Sequence, residues 1–535
     1  MKESTASVTS ENDFKTPRIV VMYLSKTLKP SKSLSGFALV TSATFLIAGC
    51  SVGPDFLPPS NPATDKFIVD DKPARPGKSG LAPRTVWGGD IGGSWWKSFR
   101  SPSLNRLIDD ALTNSPTLES AEAALRLAQT QIAIQRASLF PVIGVSALAS
   151  RQKESNTLAP PLDNGSFTYS LNTGQLSIAF VPDIWGGTRR QIESAQAETL
   201  GAAFQREAVY TSLVSNVALA AIMEGSLRGQ ITATRSIIGT QSQLLEILRR
   251  QFSSGQIGRP DVVAQETAVA QARLLLPPLE RALAQQRNLI AALTGRMPDE
   301  RINAIFTLGS FRLPSKIPLR MPADLIRSRP DVRIAEEHLR STNAQIGVAV
   351  ANRLPQIALT ANAGSSAQAM AQLFSPGFGV WNIAGNLSQT VFDAGRLAAL
   401  QRGAEFATDQ AAAQYKTVVL QAFQNVADTL RALQSDERAV YAAIAAERSA
   451  SLGIRLLRQQ VEAGQISLPL LLAAQQAHLQ TSLARIQAEG QRLSNTVALF
   501  QALGGGWWNR PNSISRSIKF ASEVSQGNAV LPPPM

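Results

Sequence analysis

The chain has 535 residues, 44% hydrophobic and 17% charged, which suits two or three domains or one elongated repeat architecture. Its formal net charge is +13, but the arginines are scattered along helical stretches and not gathered into basic blocks with aromatics, which argues against nucleic acid as a partner. One cysteine and two distant histidines, His338 and His478, rule out an intrachain disulfide and any Cys-based zinc cluster. Without an H-E-x-x-H, G-x-S-x-G or G-x-x-x-x-G-K-[ST] pattern, no catalytic residue, metal site or cofactor is expected.

At the N-terminus, Lys26, Lys29 and Lys32 precede a short apolar run over 36–47, closed by Ala48-Gly49-Cys50. This order reads as a secretory signal over residues 1–49, of ordinary length if translation starts at Met22. The run is shorter than the ~20 residues a bilayer span needs. Ile47-Ala48-Gly49-Cys50 resembles a bacterial lipobox. That resemblance implies N-acyl and S-diacylglycerol chains (palmitate-type) on Cys50, and two or more chains anchor stably. Ser51, standing where an Asp would oppose it, favours sorting to the outer membrane on the same resemblance. Residues 50–94, rich in Pro and Gly, are expected to be extended and held down by contacts.

Beyond this segment the chain repeats itself. Pro116 and Pro141 recur as Pro330 and Pro355, a shift of 214; Gly255, Pro260 and Gly295 recur as Gly464, Pro469 and Gly504, a shift of 209. Two copies are expected, at 95–300 and 322–506, joined by a linker over 301–321 and followed by a tail, 507–535, with no interpretable pattern. Each copy opens with a helix that stops at its Leu-Phe-Pro or Arg-Leu-Pro motif. Two segments of period two follow: Ile143, Val145, Ala147, Ala149 and Leu176, Ile178, Phe180 in the first copy, Ile357, Leu359, Ala361 and Trp381, Ile383, Leu387 in the second. Period two predicts strands with one apolar and one polar face. Proline-free stretches over 189–253 and 396–463 predict helices of ~100 Å at 1.5 Å per residue. In the second, Val419, Phe423, Val426, Leu430 and Leu433 have coiled-coil spacing, which Val214 and Val217 repeat in the first. A Gly-containing turn then reverses the chain into a returning helix.

Four strands cannot close on themselves. An open edge in lipid leaves backbone groups unpaired at several kcal/mol each, and bacterial outer-membrane barrels need at least about eight strands. The chain is therefore expected to borrow strands from copies of itself.

The segments Cys50-Ser51-Val52-Gly53-Pro54-Asp55-Phe56, Trp95-Trp96-Lys97-Ser98-Phe99, Leu139-Phe140-Pro141, Leu276-Pro277-Pro278-Leu279-Glu280 and Asp393-Ala394-Gly395-Arg396, with the duplication, resemble the TolC-like outer membrane factor family, in its NodT-type lipoprotein branch. The resemblance covers nearly all of 50–506. It implies an α+β membrane protein: a homotrimer whose twelve strands form one barrel above a periplasmic α-helical barrel with an equatorial belt. It also implies a periplasmic adaptor (membrane fusion protein), an inner-membrane transporter of the resistance–nodulation–division (RND) type, and passive export of small toxic compounds through the outer membrane and its lipids. On this resemblance Gly255, Gln256, Ile257, Gly464, Gln465 and Ile466 lie at the adaptor-contacting tips. Where relatives often carry gate carboxylates this chain has Leu470 and Ala473, so a hydrophobic constriction is expected from Leu468, Leu470 or Leu471, against the alternative that these leucines pack between helices. Pro277 and Pro278 are expected to break the returning helix of the first copy; the second copy has Arg485-Ile486-Gln487 there, so its break must be made differently. Two other readings stay open, a duct for protein secretion and a structural coiled-coil lipoprotein of the envelope.

Overall fold

The structure, a computed structural model, describes residues 51–60, 67, 84–155, 167–300, 302–314, 316–319, 322–462 and 465–510. The signal and Cys50 lie outside the described residues, as does Gly464. In chain order the elements are β1 (Arg84–Trp87), α1 (Pro102–Asn114), α2 (Pro116–Ala137), β2 (Val142–Lys153), β3 (Thr168–Phe180), α3 (Gly187–Ser253), α4 (Arg259–Leu274), α5 (Leu276–Leu293), β4 (Lys316–Leu319), α6 (Pro322–Ser328), α7 (Pro330–Ala351), β5 (Gln356–Ala367), β6 (Gly379–Ser388), α8 (Arg396–Glu462) and α9 (Leu468–Ala502).

Proline places several helix starts. Pro102, Pro116, Pro260, Pro277, Pro330 and Pro469 occupy the first helical turn, where the missing N–H has no partner to lose. Pro141 and Pro355 lie between the ends of α2 and α7 and the strands that follow. The long helices are seeded by aspartates. Asp183 accepts the N–H groups of Thr188 and Arg189 at 2.9 and 3.0 Å, and Asp393 those of Leu397 and Gly395 at 2.8 and 2.9 Å. The bond from Leu397 is the main reason the Asp393 carboxyl lies below the ordinary carboxylate range.

α3 and α8 are 67 residues each, ~100 Å long. By length and composition α3 could cross a membrane, but 61% of its most apolar window is buried inside the protein, so its apolar face is accounted for by packing. On α8 the buried line runs Ala411, Tyr415, Val419, Ala422, Val426, Leu430. It turns one residue away from the expected seam at Phe423, which is only partly buried.

The returning segments differ. In the first copy Leu275 separates α4 from α5, immediately before Leu276-Pro277-Pro278. In the second, the expected break is absent: α9 runs unbroken for 35 residues. No proline interrupts it after Pro469, and Arg485, at the corresponding place, pairs with Glu489 one turn on and with Glu447 of α8.

The main core lies midway along the shaft. Trp95, Trp96, Phe99, Leu104 and Ile108 pack on Val214, Val217 and Ala218 of α3 and on Val497 and Phe500 of α9, with Trp95 stacked on Phe500 at 5.1 Å between centroids. Beside it, β1 pairs in parallel with β4. Both strands fall in segments expected to be extended or linker; four residues each are too few to show a period.

Candidate functional site

Four strands form one antiparallel sheet in the order β2-β3-β5-β6. Its register puts Ile143 opposite Ile178, Val145 opposite Leu176, Ala361 opposite Ile383 and Ala363 opposite Trp381, all on one face. The other face carries Ser146, Gln175, Ser177, Thr360, Asn362 and Asn382. The apolar face is bare: Val145 is 84% exposed, Trp381 78% and Ile383 75%. Among the described residues, the outer edges of β2 and β6 have no strand partner. A sheet with a greasy uncovered face and two open edges is stable in lipid only when its edges are paired.

At the far end of the shaft the described residues of the two turns share one hydrogen bond. The N–H of Gln256 donates to Gln251 O at 2.8 Å, and that of Gln465 to Gln460 O at 2.8 Å, so the bond recurs at the 209-residue shift. Gly255 sits at φ +75°, a left-handed position that favours glycine, and an added Cβ there would meet nothing within 4 Å. Gln256 and Gln465 are exposed while Ile257 and Ile466 are half-buried.

The three candidate gate leucines separate. Leu468 and Leu471 are buried in a cluster with Leu244, Leu245, Leu248, Val262 and Val269, packed between the helices of one chain. Leu470 is 52% exposed and is the one of the three with a side chain left to face another copy or a lumen.

The partners in two contact sets escaped sequence reading because they are distant in the chain. In the first, residues 51–55 are strapped to the base of the sheet. Val52 N–H donates to Trp185 O at 3.1 Å, and the buried Arg190 donates to Val52 O, Gly53 O and the Asp55 carboxylate at 3.1, 3.2 and 2.8 Å. Gly53 and Gly347 touch backbone to backbone, and a Cβ on Gly53 would fall 2.4 Å from Gly347 Cα. In the second, Trp507 Nε1 donates to Ser328 O at 2.7 Å, Asn509 Nδ2 to Ile91 O at 2.7 Å, and Arg510 reaches the fully buried Glu207 while lying 3.5 Å from the Tyr210 ring centroid. The run Gly504-Gly505-Gly506, all at positive φ, turns the chain into this clasp and was the available signal.

Among the described residues no group of three or more His, Cys, Asp or Glu side chains is arranged to hold a metal. What the fold presents is a four-stranded sheet with a bare apolar face on a long helical shaft. Residues 107–296 and 321–505 each match the outer membrane efflux protein family, and the chain belongs to that family. Over 487 residues, 91% of this chain and 98% of the relative, it is 30% identical to the antibiotic efflux pump outer membrane protein ArpC of Pseudomonas putida. Over the same shares it is 29% identical to the toluene efflux pump outer membrane protein TtgC of a Pseudomonas putida strain. The solved outer-membrane channel OprN superposes with a TM-score of 0.77 at 25% identity, covering 86% of this chain and 100% of that one.

Proposed function

We propose that three copies of the chain close their sheets into one barrel of twelve strands, three times the four seen here, and form the exit duct of a tripartite efflux pump. The observation that carries this is the sheet itself: a bare apolar face and two unpaired edges on a protein of the outer membrane. The helices α3, α4–α5, α8 and α9 continue the wall as a periplasmic tube built from two tandem copies of one unit. The paired tips, with exposed Gln256 and Gln465 beside half-buried Ile257 and Ile466, are the docking points for a periplasmic adaptor, which hands over cargo from an inner-membrane transporter of the RND type. The cargo class is small toxic compounds. Pumps served by relatives export antibiotics in one case and toluene in another, as expected where the transporter and not the duct selects. The duct performs no catalysis and requires no cofactor. Cys50 carries the lipid anchor.

Planar-bilayer recording of the purified full-length protein tests this reading. Stable, discrete conductance steps are expected, small in the parent and several-fold larger in Leu470→Ser, because an inward apolar ring gates by excluding water. Absence of steps from both proteins contradicts the duct; equal steps in both contradict Leu470 as the constriction.

A further inference from the structure

The outer end of β2 breaks the pattern of the face it belongs to. Positions 143, 145, 147, 149, 151 and 153 share the apolar face, and across the register their partners on β3 run Ile178, Leu176, Gly174, Asn172, Ser170 and Thr168. Past Ala149, at the end remote from the helices, the face turns from Ile143, Val145, Ala147 and Ala149 to Arg151 and Lys153. β5 and β6 contribute Leu359, Ala361, Ala363, Trp381, Ile383 and Leu387 to this face and no charge. Both cations are exposed, and neither forms an ion pair with a described residue. The acid at the same end, Glu154, belongs to the opposite face, where its carboxylate accepts the Tyr169 hydroxyl at 2.8 Å while Tyr169 also receives the Gln152 amide. Arg151 and Lys153 thus lie on the apolar face and Glu154 on the polar face.

We propose that Arg151 and Lys153 form a docking point for phosphate-bearing lipid headgroups of the outer leaflet. Residues two apart on a strand are about 7 Å apart, so two cations stand one above the other along the strand, and their long stems lie on apolar surface while their heads reach the headgroup layer. Continuity with the apolar band selects a lipid over a soluble anion: a free phosphate gains only the two charges, whereas a lipid also buries its chains against Val145 and Ile143. A basic pair beside a membrane surface is attracted to anionic lipid. The docking point rests on the reading of the apolar face as the barrel exterior, and a closed trimer would carry three of them.

The test titrates the full-length protein, purified in mild detergent, with a bisphosphorylated glycolipid (lipid A) and with its dephosphorylated form, scoring bound lipid by native mass spectrometry. The parent is expected to prefer the phosphorylated lipid. The double variant Arg151→Gln, Lys153→Gln should bind it roughly tenfold or more weakly. Gln152→Ala, on the same strand but the other face, should bind as the parent does. Equal binding of the two lipids, an unaffected double variant, an equal loss in Gln152→Ala, or full displacement of the lipid by inorganic phosphate would each overturn the docking point. The same spectra report stoichiometry: a monomeric parent removes the barrel reading and the docking point with it, whereas an oligomer without lipid preference removes the docking point alone.

Discussion

Single residues hold this protein together where its segments cross. Glu207 is fully buried on α3, and its partner Arg510 comes from beyond the last long helix. Breaking a buried pair leaves an uncompensated charge, at about 3–5 kcal/mol; Arg206 also touches Glu207, so Arg510→Ala should cost about 3 kcal/mol, read as a lowered thermal midpoint in detergent. An unchanged midpoint would show that Arg206 suffices. Glu337 on α7 presents the opposite case. Burial pushes its carboxyl pKa up despite Arg333 and Arg340 nearby, and one of its oxygens has no hydrogen-bond partner. An acid with a raised folded pKa stabilises the fold most below the ordinary carboxylate pKa and loses that contribution as pH rises through the folded value. Glu337→Gln should therefore match or exceed the parent midpoint at pH 7–8, with any advantage vanishing toward pH 4. A variant less stable than the parent at neutral pH would show that the contact to Arg333 outweighs burial. Neither group was legible in the sequence, because nothing local marks Glu207 or Glu337 among the other helix glutamates.

The elements were largely legible, and the reason is periodicity. Alternation at Ile143, Val145, Ala147 and at Trp381, Ile383 gave the strands, and the absence of proline from 189–253 and 396–463 gave the two long helices. Where a signal was missing the reading failed. The four-residue β1 and β4 show no period, and α9 needs no break because no proline enforces one. The segment at 51–55 was expected to be held down by contacts, but its partners were invisible for a different reason. It depends on close backbone approach at Gly53 and Gly347, nearly 300 residues apart, and a glycine alone does not say what it approaches. That approach makes a prediction for Gly347→Ala. The new Cβ would fall 2.7 Å from Arg190 Cγ and 2.8 Å from Val52 O, which overpacks the site by about 1–3 kcal/mol. Faster hydrogen exchange and protease cleavage are expected at 51–56, with the sheet unaffected. Unaltered protection of 51–56 would mean that the strap yields without loss.

At the scale of the whole molecule, the proposed duct makes one chain a fragment of a wall. Its shaft has a core of its own around Trp95, Val217 and Phe500, so a single copy can hold its helices together, but its sheet cannot exist alone in lipid with both edges open. The four strands were legible in the sequence, whereas the division of the candidate gate leucines was not: Leu468, Leu470 and Leu471 are equally apolar, and only the phase of α9 against α3 and α4 buries two and leaves one bare. The central claim is tested most directly by counting chains. Native mass spectrometry of the full-length protein extracted from outer membranes should give three copies per particle, and a single copy per particle in the membrane would contradict the account.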